Sequence, residues 1–250
     1  MLKTLTLLLS ALGLSSNAWA NSVYDESRSR TIPIEVTKPK VNCHLKKKCP
    51  VAFISAGYGI PHTEYSFLAN TLNDMGFLTI AVAHELPSDP PLSVSGNLYE
   101  TRSENWQRGS ETLRVLKSKL AANYSHFDFD NVVLVGHSNG GDISAWLANE
   151  KASFVNQVIT FDHRRVPLPR NKSIKVLSVR ASDFPADKGV LPAKDEVGVQ
   201  QICVINIKKA KHNDMADHGP KWLKDEMTHY MREFLLGKSC DSMSGENVDG

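Results

Sequence analysis

A buried strand that turns sharply into a helix is the feature that most limits how this chain can fold. Val132-Val133-Leu134-Val135 is an unbroken run of β-formers. It leads directly into Gly136-His137-Ser138-Asn139-Gly140, and Asp142 to Glu150 follows with Ile143, Trp146 and Leu147 at helical spacing. Glycine two residues before and two after Ser138 suits a turn so tight that side chains at those positions would clash. Such a turn lifts its central serine clear of the strand end. It also points the N–H groups of the following helix at the same spot.

The strand–helix alternation continues along the chain. Strands are predicted at Ile32–Val36, Val51–Ser55, Leu78–Val82, Val132–Val135, Val158–Phe161, Lys175–Val179 and Cys203–Ile207, from short runs of β-formers bounded by turn residues. Helices are predicted at 64–75, 104–120, 142–150 and 221–236, with a polar, loose segment at 21–31 and a proline-bearing loop at 84–98. The pattern implies an α/β fold: a mostly parallel sheet with helices on both faces. No internal repeat, linker or large lid insertion is visible, so residues 21–250 read as a single domain.

A serine hydroxyl becomes a useful nucleophile only beside a base that a third group orients. On a strand–turn–helix scaffold of this kind the acid and the histidine follow the serine in the chain. His212 lies in the loop after the last strand and is the predicted base, with His218 the alternative. Asp183, just past the 175–179 strand, is the predicted acid, with Asp187 and Asp162 as the other candidates. An oxyanion is predicted to be held by the N–H groups of Asn139 and Tyr58, the latter in Ser55-Ala56-Gly57-Tyr58-Gly59 after the first buried strand. His137 reads as a residue that packs or hydrogen-bonds beneath the turn rather than one that reacts. His62, Glu64 and Tyr65 could line a pocket or cap a helix, and His84-Glu85 end a strand on the same edge. In Asp162-His163-Arg164-Arg165 the arginines could meet an acidic substrate group or form structural salt bridges.

With the 56–59 loop, the Gly136–Gly140 turn, the strand rhythm and a histidine after the last strand, the chain resembles the α/β-hydrolase family over nearly all of residues 21–250. Among its members it looks closest to compact esterases of the dienelactone-hydrolase and platelet-activating-factor-acetylhydrolase type. It differs from dienelactone hydrolases in carrying serine where they carry cysteine, and Ala56-Gly57 stands where the family often has His-Gly. The resemblance implies a serine hydrolase acting on a small-molecule carboxylic ester through an acyl-enzyme, without metal or organic cofactor. A lipase or peptidase of the same fold, or a binding protein that has kept the scaffold, are the alternatives.

Lys3, the leucine-rich stretch Leu5–Leu14 and Ala18-Trp19-Ala20 read as a signal peptide over residues 1–20, too short to span a bilayer, which needs about 20 apolar residues. The expected product is exported, to periplasm or medium, with no stable membrane span. In an oxidising compartment four cysteines suggest two disulfides; three pairings are open, and proximity favours Cys43–Cys49 with Cys203–Cys240. Cysteine and histidine spacings match no zinc pattern. With 29 basic and 27 acidic residues the net charge is +2, which gives no electrostatic reason to expect nucleic acid as a partner, and Lys46-Lys47-Lys48 reads as a solvated loop. The oligomeric state is left open.

Overall fold

The computed structural model describes residues 22–193, 196 and 201–245, so the predicted signal peptide lies outside the described residues. The described strands are β1 (Ser22–Asp25), β2 (Arg30–Thr37), β3 (Cys49–Ser55), β4 (Leu78–Val82), β5 (Phe127–His137), β6 (Val155–Phe161), β7 (Lys175–Arg180) and β8 (Ile202–Asn206). They form one sheet in the order β1-β2-β4-β3-β5-β6-β7-β8. The two pairings of β2 are antiparallel and every other pairing is parallel.

Strand period decides which side chains go where. Val51 and Phe53 on β3, with Val132 and Leu134 on β5, enter one core, which α2 (Leu98–Asn123) and α3 (Asn139–Asn149) cover through Trp106, Leu113, Leu116, Ile143 and Leu147. Ala52, Ile54, Val133 and Val135 enter the opposite core. There they meet α1 (Ser66–Asp74) and α4 (Lys221–Leu235) through Leu68, Leu72, Leu223, Met227 and Met231. Burial on both faces explains why these central strands are continuously apolar rather than alternating.

Three elements differ from the sequence expectation. The segment expected to be loose contains β1, which forms a hairpin with β2 in which Val23 faces Ile32. The hairpin turn is tied by Asp25 to Ser27 and Arg28, and the Arg28 guanidinium reaches the Arg108 carbonyl and Thr112 on α2. α2 begins at Leu98, six residues before the expected 104, because Asn97 caps it by accepting the Tyr99 N–H. A short helix, α5 (Cys240–Gly245), follows α4 and was not expected. Both disulfides favoured by proximity are present, Cys43–Cys49 and Cys203–Cys240. No described helix is long and apolar enough to cross a membrane.

Candidate active site

Ser138 sits between β5 and α3 with φ +51° and ψ −120°, a backbone region that L-residues rarely adopt. The chain holds it there from both sides: its N–H donates to the Phe161 carbonyl at the end of β6, and its carbonyl accepts the Asp142 N–H. The flanking glycines are required sterically. A Cβ on Gly136 would lie 2.3 Å from the Gly140 carbonyl oxygen, and one on Gly140 would lie 2.1 Å from that of Ser55. Both obstacles are backbone, so no rotamer change relieves them.

His212 opens a 3₁₀ turn (His212–Asp214) after β8 and is almost wholly buried. Its Nε2 lies 2.9 Å from Ser138 Oγ, and its Nδ1 lies 2.5 Å from Asp162 Oδ2. Asp162 is fully buried at the end of β6 with φ +50°. Its other oxygen accepts the Ala181 N–H and is ion-paired with Arg180 at 2.8 Å. Burial alone would raise the Asp162 pKa. The His212 hydrogen bond, the Arg180 charge and the Ala181 N–H outweigh it and hold the carboxyl below its ordinary value.

The sequence choice of Asp183 for the carboxylate beside the histidine ring therefore needs correction. The Asp183 carboxylate accepts the backbone N–H of His212 at 2.9 Å; it fixes the loop, while Asp162 meets the ring. The reason is strand order. β6 lies directly beside β5, so a residue at its end reaches the region of Ser138, whereas β7 is one strand further away. Asp187 pairs with Arg165, and His218 bonds the Asn213 carbonyl on the exposed side of its loop.

Beneath the turn His137 is hydrogen-bonded on both ring nitrogens, one of the two supporting roles the sequence suggests for it. The Tyr65 hydroxyl accepts the Gly57 N–H at 2.9 Å and is 2.8 Å from His137 Nδ1; His137 Nε2 is 3.0 Å from the His212 carbonyl. Burial, then the neighbouring His212 charge, pushes the His137 pKa down to about 3, so its ring is neutral. The directions follow: Tyr65 donates to Nδ1, and Nε2–H donates to the His212 carbonyl. The loop carrying Tyr58 and the loop carrying His212 are thus joined through His137.

The Gly57 N–H is committed to Tyr65, and the Ile60 N–H to the Gly57 carbonyl, while among the described residues no hydrogen bond engages the Tyr58 N–H. The Tyr58 ring is exposed and its hydroxyl accepts the Leu92 N–H, anchoring the 84–97 loop. Asn139 is the first residue of α3, where N–H groups precede the helix's own bonding. Its side chain accepts the Trp106 indole N–H and donates to Glu85 and Asn105. Tyr65 is thus a buried support rather than a pocket residue, and Glu85 bonds the residue after Ser138. His84 lies buried against Ser55, with its pKa pushed down to about 3 by burial. The exposed Phe184 ring stands edge-on to the His212 ring. Among the described residues no group of three or more His, Cys, Asp or Glu side chains is arranged to hold a metal ion.

No protein-family model matches the sequence, and no curated protein matches it. Solved structures do match in shape. Esterase 2 of the planctomycete Thermogutta terrifontis with butyrate bound superposes with a TM-score of 0.65 at 12% identity, over 94% of this chain and 97% of that one. The same esterase phosphonylated by cyclosarin gives 0.63 at 12% identity, over 86% and 92%. Est1E of Butyrivibrio proteoclasticus gives 0.54 at 14% identity, over 87% and 100%. The chain has the α/β-hydrolase fold. Within that fold Ser138 stands at the strand-to-helix turn after β5, and His212 and Asp162 come from the ends of two other strands of the same sheet.

Proposed function

We propose that this protein is an exported serine hydrolase that cleaves a carboxylic ester through Ser138, His212 and Asp162. The observation that carries the reading is the continuous contact from Ser138 Oγ to His212 Nε2 and from His212 Nδ1 to Asp162, built on a serine held at positive φ. His212 Nε2 takes the Ser138 proton as Oγ attacks the ester carbonyl. The Asn139 and Tyr58 N–H groups stabilise the oxyanion. The imidazolium then protonates the leaving alkoxide as the C–O bond breaks, leaving an acyl-serine. Water, deprotonated by His212, releases the acid and restores Ser138. Asp162 keeps the His212 proton on Nδ1 and stabilises the imidazolium; Asp183 holds the His212 backbone.

Similarity to esterases, one with butyrate bound and one phosphonylated by cyclosarin, supports a small acyl group and a serine reactive toward phosphonates. Export is supported by the two disulfides and by the apolar stretch before Ala18-Trp19-Ala20. The mature protein then begins near Asn21 as one α/β-hydrolase domain. A fluorophosphonate probe should label the native protein and fail to label Ser138→Ala. Equal labelling of the two, or none of the wild type, sinks the reading in favour of a binding protein on this scaffold.

A further inference from the structure

Four arginines lie around the end of the sheet that carries Ser138, and their partners divide them. Arg180 is ion-paired with Asp162, and Arg165 with Asp187. Arg164 and Arg102 have no carboxylate within ion-pair distance among the described residues. The Arg164 guanidinium stacks on the Phe184 ring, 4.6 Å from its centroid, and that ring is 5.7 Å from the centre of the His212 ring. Arg102 comes from the opposite side. It lies on the face of α2 that one turn later supplies Asn105 and Trp106 to the Asn139 side chain. Its Nε donates to the Ser93 carbonyl, which fixes the head group, and among the described residues no hydrogen bond engages its terminal nitrogens. Both residues are half-buried. Burial, then the like charge of Arg165 with a smaller contribution from Arg164, draws the Arg102 pKa below its ordinary value against the opposing Asp142 and Asp187 carboxylates.

A half-buried guanidinium without a counter-ion is costly, and one beside like charges more so. Arg165 and Arg180 each have an acid within ion-pair distance, whereas Asp142 and Asp187 act on Arg102 only from beyond that distance. A planar donor fork stacked on an aromatic ring suits a bidentate anion such as a carboxylate. We propose that Arg164 and Arg102 form an anion subsite beside Ser138, and that the preferred substrate is an ester carrying a free carboxylate near its scissile bond. This rests on the hydrolase reading and goes beyond it by naming the substrate class. No covalent step beyond ester hydrolysis is involved.

Two matched pairs of esters test it with the whole mature protein. On the acyl side, mono-4-nitrophenyl adipate is compared with its methyl ester; on the alcohol side, 4-acetoxybenzoate is compared with methyl 4-acetoxybenzoate. A charge-assisted contact should give the anion an advantage of about 10–100-fold in kcat/KM in at least one pair, after subtraction of spontaneous hydrolysis. The advantage should shrink as ionic strength rises from about 0.02 to about 0.5 M. It should fall several-fold in Arg164→Gln and in Arg102→Gln, and recover in part in Arg164→Lys. The readout is a ratio of two substrates on one sample, so partial loss of folded protein does not imitate the effect. Ratios near one in both wild-type pairs, or a preference that survives both glutamine variants, overturn the subsite while leaving hydrolysis of the neutral esters intact. Absence of any Ser138-dependent cleavage removes the hydrolase reading and the subsite with it.

Discussion

At the residue scale, two aspartates hold one histidine and do different work. Asp162 touches the ring at Nδ1, so Asp162→Asn should present an amide that no longer stabilises an imidazolium. A fall in kcat of about 10³–10⁴-fold is expected on the neutral 4-nitrophenyl ester. Asp183 accepts a backbone N–H, a role the asparagine oxygen can keep, so Asp183→Asn should cost less than about 10-fold. The reverse order would return the acid role to Asp183. Tyr65 is the second residue to probe. Tyr65→Phe strands the Gly57 N–H and removes the donor to His137 in a buried region, a loss of about 1–3 kcal/mol in denaturant unfolding. It also loosens the Tyr58 loop, so kcat should fall more than KM rises. A variant with lowered stability and unchanged kcat would make Tyr65 purely structural. Ser138 and His212 could be found in the sequence because glycine spacing and loop position are local signals. Asp162 was only the third candidate because its claim depends on β6 lying beside β5. Tyr65 stands out in the sequence only as a pocket-lining or helix-capping candidate, because its supporting role comes from where Gly57 and His137 meet.

At the scale of elements, most strands and helices were legible because both faces of the central strands are buried and apolar runs mark them. The ends were less so. β1 is an edge strand whose polar residues look like a loop until Val23 pairs with Ile32, and α2 starts early because one side chain caps it. The junction of α3 with the 162–166 loop carries an electrostatic cost that the sequence does not display. Asp142 in the first turn of α3 accepts the N–H groups of Arg165 and Val166 through a single oxygen and is buried. Burial pushes its pKa up to about 6 from 3.8, against the opposing backbone hydrogen bonds. Well below pH 3.8 the carboxyl is neutral in folded and unfolded chains alike. As pH rises toward 6 the unfolded chain loses its proton first, so Asp142 lowers stability across that window and the penalty persists above it. Asp142→Asn keeps the accepting oxygen and removes the charge. Its stability relative to wild type should therefore rise between pH 4 and pH 8 by up to about 3 kcal/mol, at ~1.4 kcal/mol per pKa unit. Denaturant unfolding of both proteins across that range measures it, and a difference flat with pH would show that burial does not control this carboxyl.

At the scale of the molecule, the two disulfides close loops of very different size. Cys43–Cys49 spans 6 residues, and Cys203–Cys240 spans 37, tying β8 to α5 across the whole of α4. If a crosslink acts mainly by restricting the unfolded chain, the short loop is worth about 2 kcal/mol and the long one about 4 kcal/mol. Position strengthens the contrast. Cys203 lies in a buried strand at the edge of the sheet, and the loop after that strand carries His212. The C-terminal clamp thus braces the segment that carries His212, whereas Cys43–Cys49 braces the entry to β3, the strand whose far end leads into the Tyr58 loop. Replacing both cysteines of each pair by alanine should lower the unfolding free energy about twice as much for Cys203/Cys240 as for Cys43/Cys49. Thiol reductant should lower the melting temperature of wild type and of the Cys43/Cys49 variant, and leave a variant lacking both pairs unmoved. Activity in the Cys203/Cys240 variant should be lost at a lower temperature than in the other, because the His212 loop loses its anchor. Equal losses from the two pairs would mean that native-state strain or residual unfolded structure, rather than loop length, sets the value of each bond.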